Sequence, residues 1–330
     1  MNKTIKINDK VIGESQRCFI IAEIGLNHNG DMKLAIDMIK SAAQNGADAV
    51  KFQSFITDNF YPKSHPAYNI FKQYEIDYQG HFLLKKAAAD CGVAFISTPF
   101  CLESQSMLDS VGVDAYKIAS SDINFIQLVD AVSLTGIPSI VSTGMSSFGD
   151  IEQCVSIFEK NKNTDLIILH CISNYPPDDS SIDLTRMVKI AETFGVITGF
   201  SDHTLDNLSS IASRTLGSAV IERHFTLDKK MPGPDQAISL NPSELKSLRT
   251  DLDRLDLMLC HNTIRSDEKV RSGARRGLYA KTDINSGEII NNQNTIFMRP
   301  QTEITPDLFY LIDGTMTTEA YKKGTPIKLV

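Results

Sequence analysis

Short apolar runs alternate with amphipathic stretches along the first 225 residues of the chain. Each run is six to eight residues long and is followed by a polar or glycine-containing turn, which is typical of β-strands. The stretches between the runs have a helical period instead: residues 32–47, for example, carry Ile36, Ile39 and Ala43 before the stop signal Gly46. The eight runs are CFIIAEIG (18–25), DAVKFQ (48–53), VAFIST (93–98), AYKIAS (115–120), PSIVSTG (138–144), LIILHC (166–171), VITGFS (196–201) and AVIERHF (219–225).

Strands that alternate with helices at this spacing predict βαβ units and a parallel sheet. Eight such units favour an α/β fold in which the sheet closes into a (β/α)8 barrel, the TIM-barrel architecture, over an open sheet. No G-x-G-x-x-G or Walker-type loop follows any of the runs, which disfavours dinucleotide and nucleotide binding. We therefore predict a TIM barrel.

The pattern changes after the eighth run. Residues 239–261 predict a long closing helix with Asn241 as its N-cap. The next stretch is polar and charged, and the last one contains short apolar runs and turns without a helical period. We therefore expect a barrel domain at 1–262, a linker at 263–276 and a small β-rich domain at 277–330.

The composition is that of an ordinary globular chain, since 42% of the residues are hydrophobic and 22% are charged. The formal net charge of −7 argues against a broad basic surface for nucleic acid, although it leaves room for a local basic pocket. No apolar stretch approaches the roughly 18 residues of a membrane span, and residues 1–17 contain no apolar core of a secretion signal. The six cysteines form no C-x-x-C pair, which favours reduced thiols. We expect a cytoplasmic protein with no nucleic-acid or membrane partner.

Polar residues gather at the carboxyl ends of the predicted strands, where a parallel barrel builds its active site. Lys51 and Lys117 are informative because lysine is almost never buried without a partner. Together with three serines at neighbouring strand ends, they predict a cage for a doubly charged oxyanion such as phosphate. The serines are Ser120, Ser142 and Ser201. The alternative is an ion pair, for instance between Glu23 and Lys51, that merely fills the barrel.

His203 and His224 end the seventh and eighth predicted strands, which are neighbours in a barrel. Their imidazoles are predicted to converge on one divalent cation, and two protein ligands leave positions open for water and substrate. Glu222 and Asp202 adjoin them in the sequence, and either carboxylate could orient a ligand or hold a metal-bound water. The alternative is a pair of hydrogen-bonded core histidines.

Loop residues near the same end of the barrel have two interpretations. Asp235 ends a PGPD turn and Tyr175 begins a YPP segment. Each residue is either an ordinary turn or loop residue or part of a sugar pocket. His65, His81 and His261 lie in polar segments, and we interpret them as surface residues.

Several longer motifs follow one another along the chain: IAEIGLNHNG, KFQSF, ISTPF, AYKIAS, VSTGM, GFSDHT, IERHFTLD and PGPD. In this order and spacing they resemble the sialic acid synthase family, and the resemblance covers nearly the whole chain. That family condenses phosphoenolpyruvate with an N-acylated hexose to make nonulosonic acids. The resemblance implies a transferase that forms a C–C bond and releases phosphate by C–O cleavage. It also implies a divalent metal held by His203 and His224, Mn²⁺ first, with Mg²⁺ or Co²⁺ as alternatives.

The resemblance implies a role for each strand-end residue. The catalytic residues it implies are Glu23, Lys51, Lys117 and Asp122. The phosphoenolpyruvate-binding residues it implies are Lys51, Thr98, Lys117, Ser120, Ser142, Ser173 and Ser201. The sugar-binding residues it implies are Glu23, Gln53, Tyr175, Asp235 and Arg299.

The end of the chain, from RRGLYAKTDINSGEII to GTPIK, resembles the antifreeze-like (SAF) domain of the family. Arg299 matches an arginine that, in family members, reaches into the barrel of the partner subunit and contacts the N-acyl group of the sugar. The resemblance therefore implies a domain-swapped homodimer.

The chain departs from the family pattern at several positions. Ser121 and Asp122 stand where many members have Gly-Glu, and Phe52 stands where several have His. Gln236 follows PGPD where some relatives have His, and Gln301 replaces the usual Gly after Arg-Pro. These departures lie mainly on the sugar side, so they concern the acceptor more than the reaction.

We expect N-acetylmannosamine as the acceptor, which would make the protein an N-acetylneuraminate synthase. The first alternative is a 2,4-diacetamido hexose, as in legionaminic acid synthase, and the second is the acceptor of pseudaminic acid synthase. An aldolase-type barrel acting on a non-acylated aldose and a non-catalytic sugar-binding protein are the rival hypotheses. A hydrolytic metal barrel is disfavoured because it normally carries an H-x-H pair on its first strand, where this chain has NHNG.

Overall fold

Two short antiparallel strands, β1 (Ile5–Ile7) and β2 (Lys10–Ile12), begin the computed structural model, which describes residues 3–259 and 267–329. The three isoleucines of this hairpin are fully buried in one cluster with apolar residues from the amino-terminal halves of the strands that follow. The hairpin therefore closes the amino-terminal end of the barrel.

A closed parallel barrel forms the centre of the first part of the described chain. Its strands are β3 (Phe19–Gly25), β4 (Ala49–Ser54), β5 (Ala94–Pro99), β6 (Ala115–Ile118), β7 (Ser139–Ser142), β8 (Leu166–Cys171), β9 (Ile197–Asp202) and β10 (Val220–His224). Each strand pairs with the next in the sequence, and β10 pairs back with β3. The predicted (β/α)8 barrel is confirmed, and each predicted run begins within one residue of a strand.

Helices follow the strands and cover the outside of the barrel. They are α1 (Met32–Gln44), α2 (Thr57–Phe60), α3 (Tyr68–Tyr74), α4 (Tyr78–Asp90), α5 (Leu102–Val111), α6 (Ile126–Leu134), α7 (Phe148–Lys160), α8 (Thr185–Phe194), α9 (Leu208–Thr215) and α10 (Pro242–Leu259). α1 begins where the carboxylate of Asp31 accepts hydrogen bonds from the backbone N–H groups of Lys33 and Leu34. α10 begins with a reciprocal cap, in which Asn241 Oδ1 accepts from the N–H of Glu244 and Glu244 Oε2 accepts from the N–H of Asn241. The predicted closing helix and its N-cap are confirmed.

The alternation of side chains along the strands divides the core into two parts. Outward-facing residues such as Phe52, Phe95 and Tyr116 pack in one cluster with the helices. Inward-facing residues near the strand starts, such as Ile21 and Ile140, are apolar and pack with the hairpin. Because the period along a strand is two, the next inward positions fall at the carboxyl ends, and there they are polar. The barrel interior is therefore apolar at one end and polar at the other.

The chain divides into two compact units, Met1–Cys260 and His261–Val330. In the second unit, α11 (Glu268–Ala274) lies inside the segment 263–276 that we predicted to be a linker. Residues 263–266 of that segment lie outside the described residues. A polar, charged stretch is compatible with an exposed helix as well as with an extended linker, so the sequence did not predict α11.

An antiparallel pair, β11 (Gly277–Ala280) and β12 (Thr295–Met298), follows in the second unit. A separate apolar core stabilises this unit and contains Leu278, Ala280, Ile284, Ile290, Ile304, Ile312, Tyr321 and Ile327. Among the described residues of the chain, we find no helix with the length and apolarity that a bilayer crossing requires.

Candidate active site

A cavity of about 370 Å³ opens at the carboxyl ends of the barrel strands, and every barrel strand contributes to its walls. Its lining residues are Glu23, Lys51, Gln53, Thr98, Phe100, Lys117, Ala119, Ser120, Ser121, Ser142, Met145, Cys171, Ser173, Tyr175, Ser201, His203, Glu222, His224 and Asp235. The site residues that we predicted in the barrel line this cavity, with the exceptions of Asp122 and Asp202. The predicted set is therefore one spatial cluster.

Lys51 is buried in the wall between two carboxylates. Its Nζ lies 2.8 Å from Glu23 Oε2 and 3.7 Å from Glu222 Oε2. Burial lowers the pKa of Lys51, but the charges of Glu222 and Glu23 raise it by more than burial lowers it. The pKa therefore lies above its ordinary value, and the ammonium is charged. The Glu23–Lys51 ion pair that the sequence left open is thus present, and it forms part of the cavity wall.

Lys117 has a weaker counter-charge. Its Nζ lies 3.9 Å from Glu222 Oε1 and donates a hydrogen bond to the carbonyl of Ile118 at 3.2 Å. Burial lowers the pKa of Lys117 below its ordinary value, and the Glu222 carboxylate offsets only part of this effect, while Lys51 adds to it. The site therefore contains a buried cation that its own carboxylates do not fully compensate, which is the situation that an anionic ligand relieves.

Glu222 connects the two lysines. Ser201 Oγ donates a hydrogen bond to its Oε1 at 2.9 Å. Burial alone would raise its pKa, but Lys117 and Lys51 outweigh burial and hold the pKa at about 2. The sequence suggested Glu222 only as a group that orients a metal ligand. The structure gives this carboxylate a second property, since it is the permanently ionised partner of both ammonium groups.

Glu23 has the opposite tendency. Burial raises its pKa above the ordinary value despite the charge of Lys51, and repulsion from Glu222 adds to the effect. Two carboxylates with opposed shifts on one wall are the usual arrangement when one group exchanges protons and the other stays charged. Glu23 is the member of the pair that is suited to proton exchange.

His203 and His224 converge at the mouth of the cavity, with ring centroids 5.6 Å apart. His203 Nδ1 lies 2.8 Å from the carbonyl oxygen of Ile172, and since a carbonyl only accepts, Nδ1 carries the hydrogen and Nε2 keeps its lone pair. His224 Nδ1 is buried and has no hydrogen-bond partner. The ring of Tyr175 covers His203 at a centroid distance of 4.1 Å.

The two imidazoles fit a divalent cation. Burial lowers the pKa of both rings, that of His224 to about 4, so both are neutral at pH 7, and neutral imidazole is the form that binds metals. The carbonyl of Ile172 fixes the tautomer of His203 in the way that outer partners of metal ligands do. No group of three or more His, Cys, Asp or Glu side chains suited to a metal occurs in the described part of the chain. A cation here would have few protein ligands and open positions.

Asp202 does not lie in the cavity. Its Oδ2 accepts hydrogen bonds from Arg223 Nη1 at 2.8 Å, Ser209 Oγ at 2.7 Å and Ser210 Oγ at 2.5 Å. Arg223 stands opposite Asp202 in the pairing of β9 with β10. The alternation of each strand turns both residues outward when Ser201 and Glu222 point inward. Of the two carboxylates beside the histidines, only Glu222 is available to a ligand.

Asp122 does not line the cavity, whereas its neighbour Ser121 does. The 3₁₀ turn Ser120–Asp122 puts Ser121 in the wall, and Ser121 Oγ donates a hydrogen bond to Asp122 Oδ2 at 2.6 Å. Burial raises the pKa of Asp122. Its catalytic role stays a prediction, and the hydrogen bond to Ser121 connects it to the cavity wall.

Small residues make room in the wall beside Ser120. Ser120 Oγ accepts a hydrogen bond from the N–H of Gly144 at 2.9 Å and lies 3.1 Å from Cys171 Sγ. A side chain at position 144 would collide with Ser173 and Cys171, which explains the glycine. The hydroxyls of Ser120 and Ser173 are thereby kept close together in the cavity wall.

The predicted sugar-binding residues of the barrel differ in exposure, from the buried Glu23 to the half-exposed Tyr175. Gln53 Nε2 donates a hydrogen bond to Glu23 Oε1 at 3.3 Å, and Asp235 Oδ2 lies 3.9 Å from His224 Nδ1. Tyr175 is about half exposed. Arg299 belongs to the second compact unit, directly after β12, and its role in a partner's barrel stays a prediction.

The structure confirms the surface prediction for one histidine and contradicts it for another. His65 is exposed, as predicted. His81 is fully buried on the inner face of α4, where its Nε2 lies 2.6 Å from Ser54 Oγ, so the surface interpretation was wrong. The polar neighbours of His81 in the sequence point to the other face of the helix. His261 lies outside the described residues.

Comparison with known proteins identifies a matching family and similar relatives. A family model described as the NeuB family matches residues 38–263. The chain is 42% identical over 299 residues to an uncharacterized protein of Methanocaldococcus jannaschii, which covers 90% of this chain and 89% of that protein. It is 35% identical over 332 residues to the N,N'-diacetyllegionaminic acid synthase of Campylobacter jejuni, over 95% of this chain and 99% of that protein.

A solved structure is also similar to most of this chain. The N-acetylneuraminic acid (sialic acid) synthetase of Leptospira borgpetersenii, in complex with citrate, is 34% identical to this chain with a TM-score of 0.77. The match covers 82% of this chain and 94% of that chain.

Proposed function

The chain belongs to the NeuB family, and we propose that it is a nonulosonic acid synthase that condenses phosphoenolpyruvate with an open-chain N-acylated hexose and releases phosphate. The observation that carries the proposal is the buried, incompletely compensated ammonium of Lys117 beside a pair of neutral imidazoles in one cavity. A binding protein for neutral sugars has no need of such a cation.

The phosphate and carboxylate of phosphoenolpyruvate bind to the two ammonium groups and the serine hydroxyls around them. Ser142 Oγ supports this assignment because it is buried without a hydrogen-bond partner in the cavity wall, on the strand beside that of Lys117. Hydrogen bonds from charged donors to phosphate oxygens are strong in a site that excludes water. Lys117 gains the counter-charge that Glu222 supplies only in part.

The reaction joins C3 of phosphoenolpyruvate to the aldehyde carbon of the sugar, and the aldehyde oxygen takes up a proton to become a hydroxyl. Water then adds at C2, and the C–O bond to phosphate breaks to leave a ketone and inorganic phosphate. Lys51 and Lys117 hold the phosphate and carboxylate charges in place throughout. Glu23 is the group that gives a proton to the aldehyde oxygen or takes one from the attacking water, because burial raises its pKa.

His203 and His224 would hold a divalent cation, Mn²⁺ first, which as a Lewis acid supplies polarisation of the aldehyde. Gln53, Tyr175 and Asp235 line the cavity and are proposed to bind the hydroxyls of the sugar. Arg299 of the partner subunit is proposed to contact the N-acyl group.

N-Acetylmannosamine is the first acceptor to test. A 2,4-diacetamido hexose is the second candidate, and the observation that favours it is the similarity to a legionaminic acid synthase along nearly the whole chain.

The decisive assay follows phosphate release from phosphoenolpyruvate with Mn²⁺, with and without each acceptor. The proposal predicts release only when an N-acylated sugar is present. Release without a sugar, or equal release with a non-acylated aldose, would contradict it and would favour an aldolase-type or hydrolytic reaction.

A further inference from the structure

The loop that carries Asp235 lies outside the strands, yet its position decides whether the carboxylate reaches the cavity. Asp235 immediately precedes a short 3₁₀ turn, Gln236–Ile238, and its side chain is 22% exposed at the cavity edge. A carboxylate on a loop is useful for recognition only when the loop is held. Three buried polar side chains hold this loop.

Gln236 joins the loop to two other parts of the barrel. Its side chain is fully buried, and Nε2 donates a hydrogen bond to the backbone carbonyl of Asn27 at 2.9 Å. Its Oε1 accepts a hydrogen bond from the hydroxyl of Thr226. The amide thus connects the loop after β3 with the residue pair that follows β10, and both of its polar atoms are used.

Asn27 completes the connection from the other side. Its Nδ2 donates to the carbonyl of Phe225 at 2.9 Å and to Ser239 Oγ at 2.8 Å. Ser239 Oγ in turn donates to the backbone carbonyl of Asp235 at 2.6 Å. Both side chains are fully buried. We call Gln236, Asn27 and Ser239 the loop clasp.

We propose that Gln236 is a positioning residue for the acceptor sugar, because the loop clasp holds the carboxylate of Asp235 at the hydroxyl-binding side of the cavity. This inference rests on the proposed function, since it assumes that Asp235 binds the sugar. The clasp contacts neither lysine of the phosphoenolpyruvate side. Its loss should therefore weaken acceptor binding selectively.

The test compares Gln236→Leu with a matched control, Asn163→Leu. Asn163 lies in the loop before β8, at the opposite end of the barrel, and is also a buried amide. Its Nδ2 donates hydrogen bonds to the carbonyls of Ser133 and Ile137. Gln236→Leu should raise the KM for the acceptor about ten- to a hundredfold and leave the KM for phosphoenolpyruvate within about twofold. Asn163→Leu should change neither KM. A similar rise of both KM values in Gln236→Leu would overturn the proposal.

Three further variants separate positioning from a loss of folding. Gln236→His should restore the acceptor KM, because a neutral imidazole has one donor and one acceptor nitrogen, as the amide uses here. Ser239→Ala removes one bond of the clasp without opening a large cavity and should raise the acceptor KM as well; an unchanged KM counts against the clasp even if Gln236→Leu does not fold. In an Asp235→Ala background, Gln236→Leu should have no additional effect on the acceptor KM.

Hydrogen exchange keeps the inference distinct from the proposed function. Gln236→Leu should speed amide exchange in residues 232–240, and Asn163→Leu should not. If the parent enzyme releases no phosphate with any acceptor, the proposed function fails, and the exchange result alone decides about the clasp. Unchanged protection of 232–240 in Gln236→Leu would overturn the proposal in either case.

Discussion

Lys117 Nζ and Glu222 Oε1 lie 3.9 Å apart in the buried wall of the cavity, whereas Lys51 lies 2.8 Å from its nearest carboxylate oxygen, that of Glu23. This difference separates the two lysines energetically. Lys51 is stabilised as a cation by its carboxylates, and Lys117 is not, as the opposite shifts of their pKa values indicate. The poorly compensated charge of Lys117 lies at the position where we propose that phosphate binds.

The two lysines should respond differently to removal. Lys51→Met leaves Glu23 without its nearby counter-charge and Glu222 without one of its two, and it should lower the free energy of unfolding by about 3 kcal/mol. Lys117→Met removes an under-compensated ammonium but also one of the two charges that stabilise the Glu222 carboxylate, so the two effects oppose each other and stability should change by less than about 1 kcal/mol. Denaturant unfolding at pH 7 measures both values.

Both substitutions should lower kcat/KM for phosphoenolpyruvate by about 100-fold or more, since each removes a charged donor. Lys40→Met, on an exposed helix face, is the matched control and should change neither property. Equal destabilisation by Lys51→Met and Lys117→Met would contradict our interpretation of the charge balance.

Stability should depend on pH through buried histidines outside the cavity. Burial lowers the pKa of His28 and of His170 to about 4, while an unfolded histidine titrates near 6.5. Between these values the unfolded chain binds more protons than the folded one, so stability is complete above about pH 6.5 and is lost as the pH falls toward 4. Each ring contributes up to about 3 kcal/mol to this loss.

His170→Leu tests this dependence. The difference in unfolding free energy between pH 7 and pH 4.5 should become smaller in this variant than in the parent. His65→Asn removes an exposed ring and should leave the difference unchanged. An equal pH dependence in the parent and in His170→Leu would show that the ring titrates normally.

Metal binding should require both histidines of the cavity mouth. With Mn²⁺ at about 100 times its Kd, the parent should gain about 2.7 kcal/mol of stability, and His203→Ala and His224→Ala should gain almost none. Free Mn²⁺ measured by electron paramagnetic resonance gives the binding directly, without reference to activity. His65→Ala should bind as the parent does. Undiminished Mn²⁺ binding in both cavity variants would place the cation elsewhere.

Arg299 should act on the acceptor and across subunits. Arg299→Ala should raise the KM for an N-acylated acceptor by about tenfold or more and leave the KM for phosphoenolpyruvate unchanged. If Arg299 of the partner subunit completes each site, a mixed dimer of Arg299→Ala and Lys117→Met has one intact site and regains activity. Mixed dimers purified with two affinity tags test this. Absence of recovered activity, or a monomeric mass for the parent, would contradict a swapped dimer.

Much of the site could be predicted because a barrel strand has a period of two. Once Lys51 and Lys117 are taken as inward residues, the neighbouring strand ends supply serines, histidines and Glu222 at the same level. The same alternation also predicts the orientation of Asp202. If His203 points inward, Asp202 must point outward, which is where Arg223 binds it.

Other features depend on distances that no periodicity provides. The sequence offered a Glu23–Lys51 ion pair and a phosphate cage as alternatives, but the structure has the ion pair inside the cavity wall, with Lys117 as the less compensated charge. The loop clasp could not be predicted from the sequence for the same reason, since Asn27 and Gln236 are 209 positions apart in the chain.

Mass spectrometry of the products tests the central claim most directly. The enzyme is incubated with phosphoenolpyruvate, Mn²⁺ and three competing acceptors: N-acetylmannosamine, a 2,4-diacetamido hexose and the acceptor of pseudaminic acid synthase. We predict one dominant product whose mass equals that of its acceptor plus phosphoenolpyruvate and water, minus phosphoric acid. Pyruvate and phosphate without any such product, or no consumption of phosphoenolpyruvate, would contradict the account.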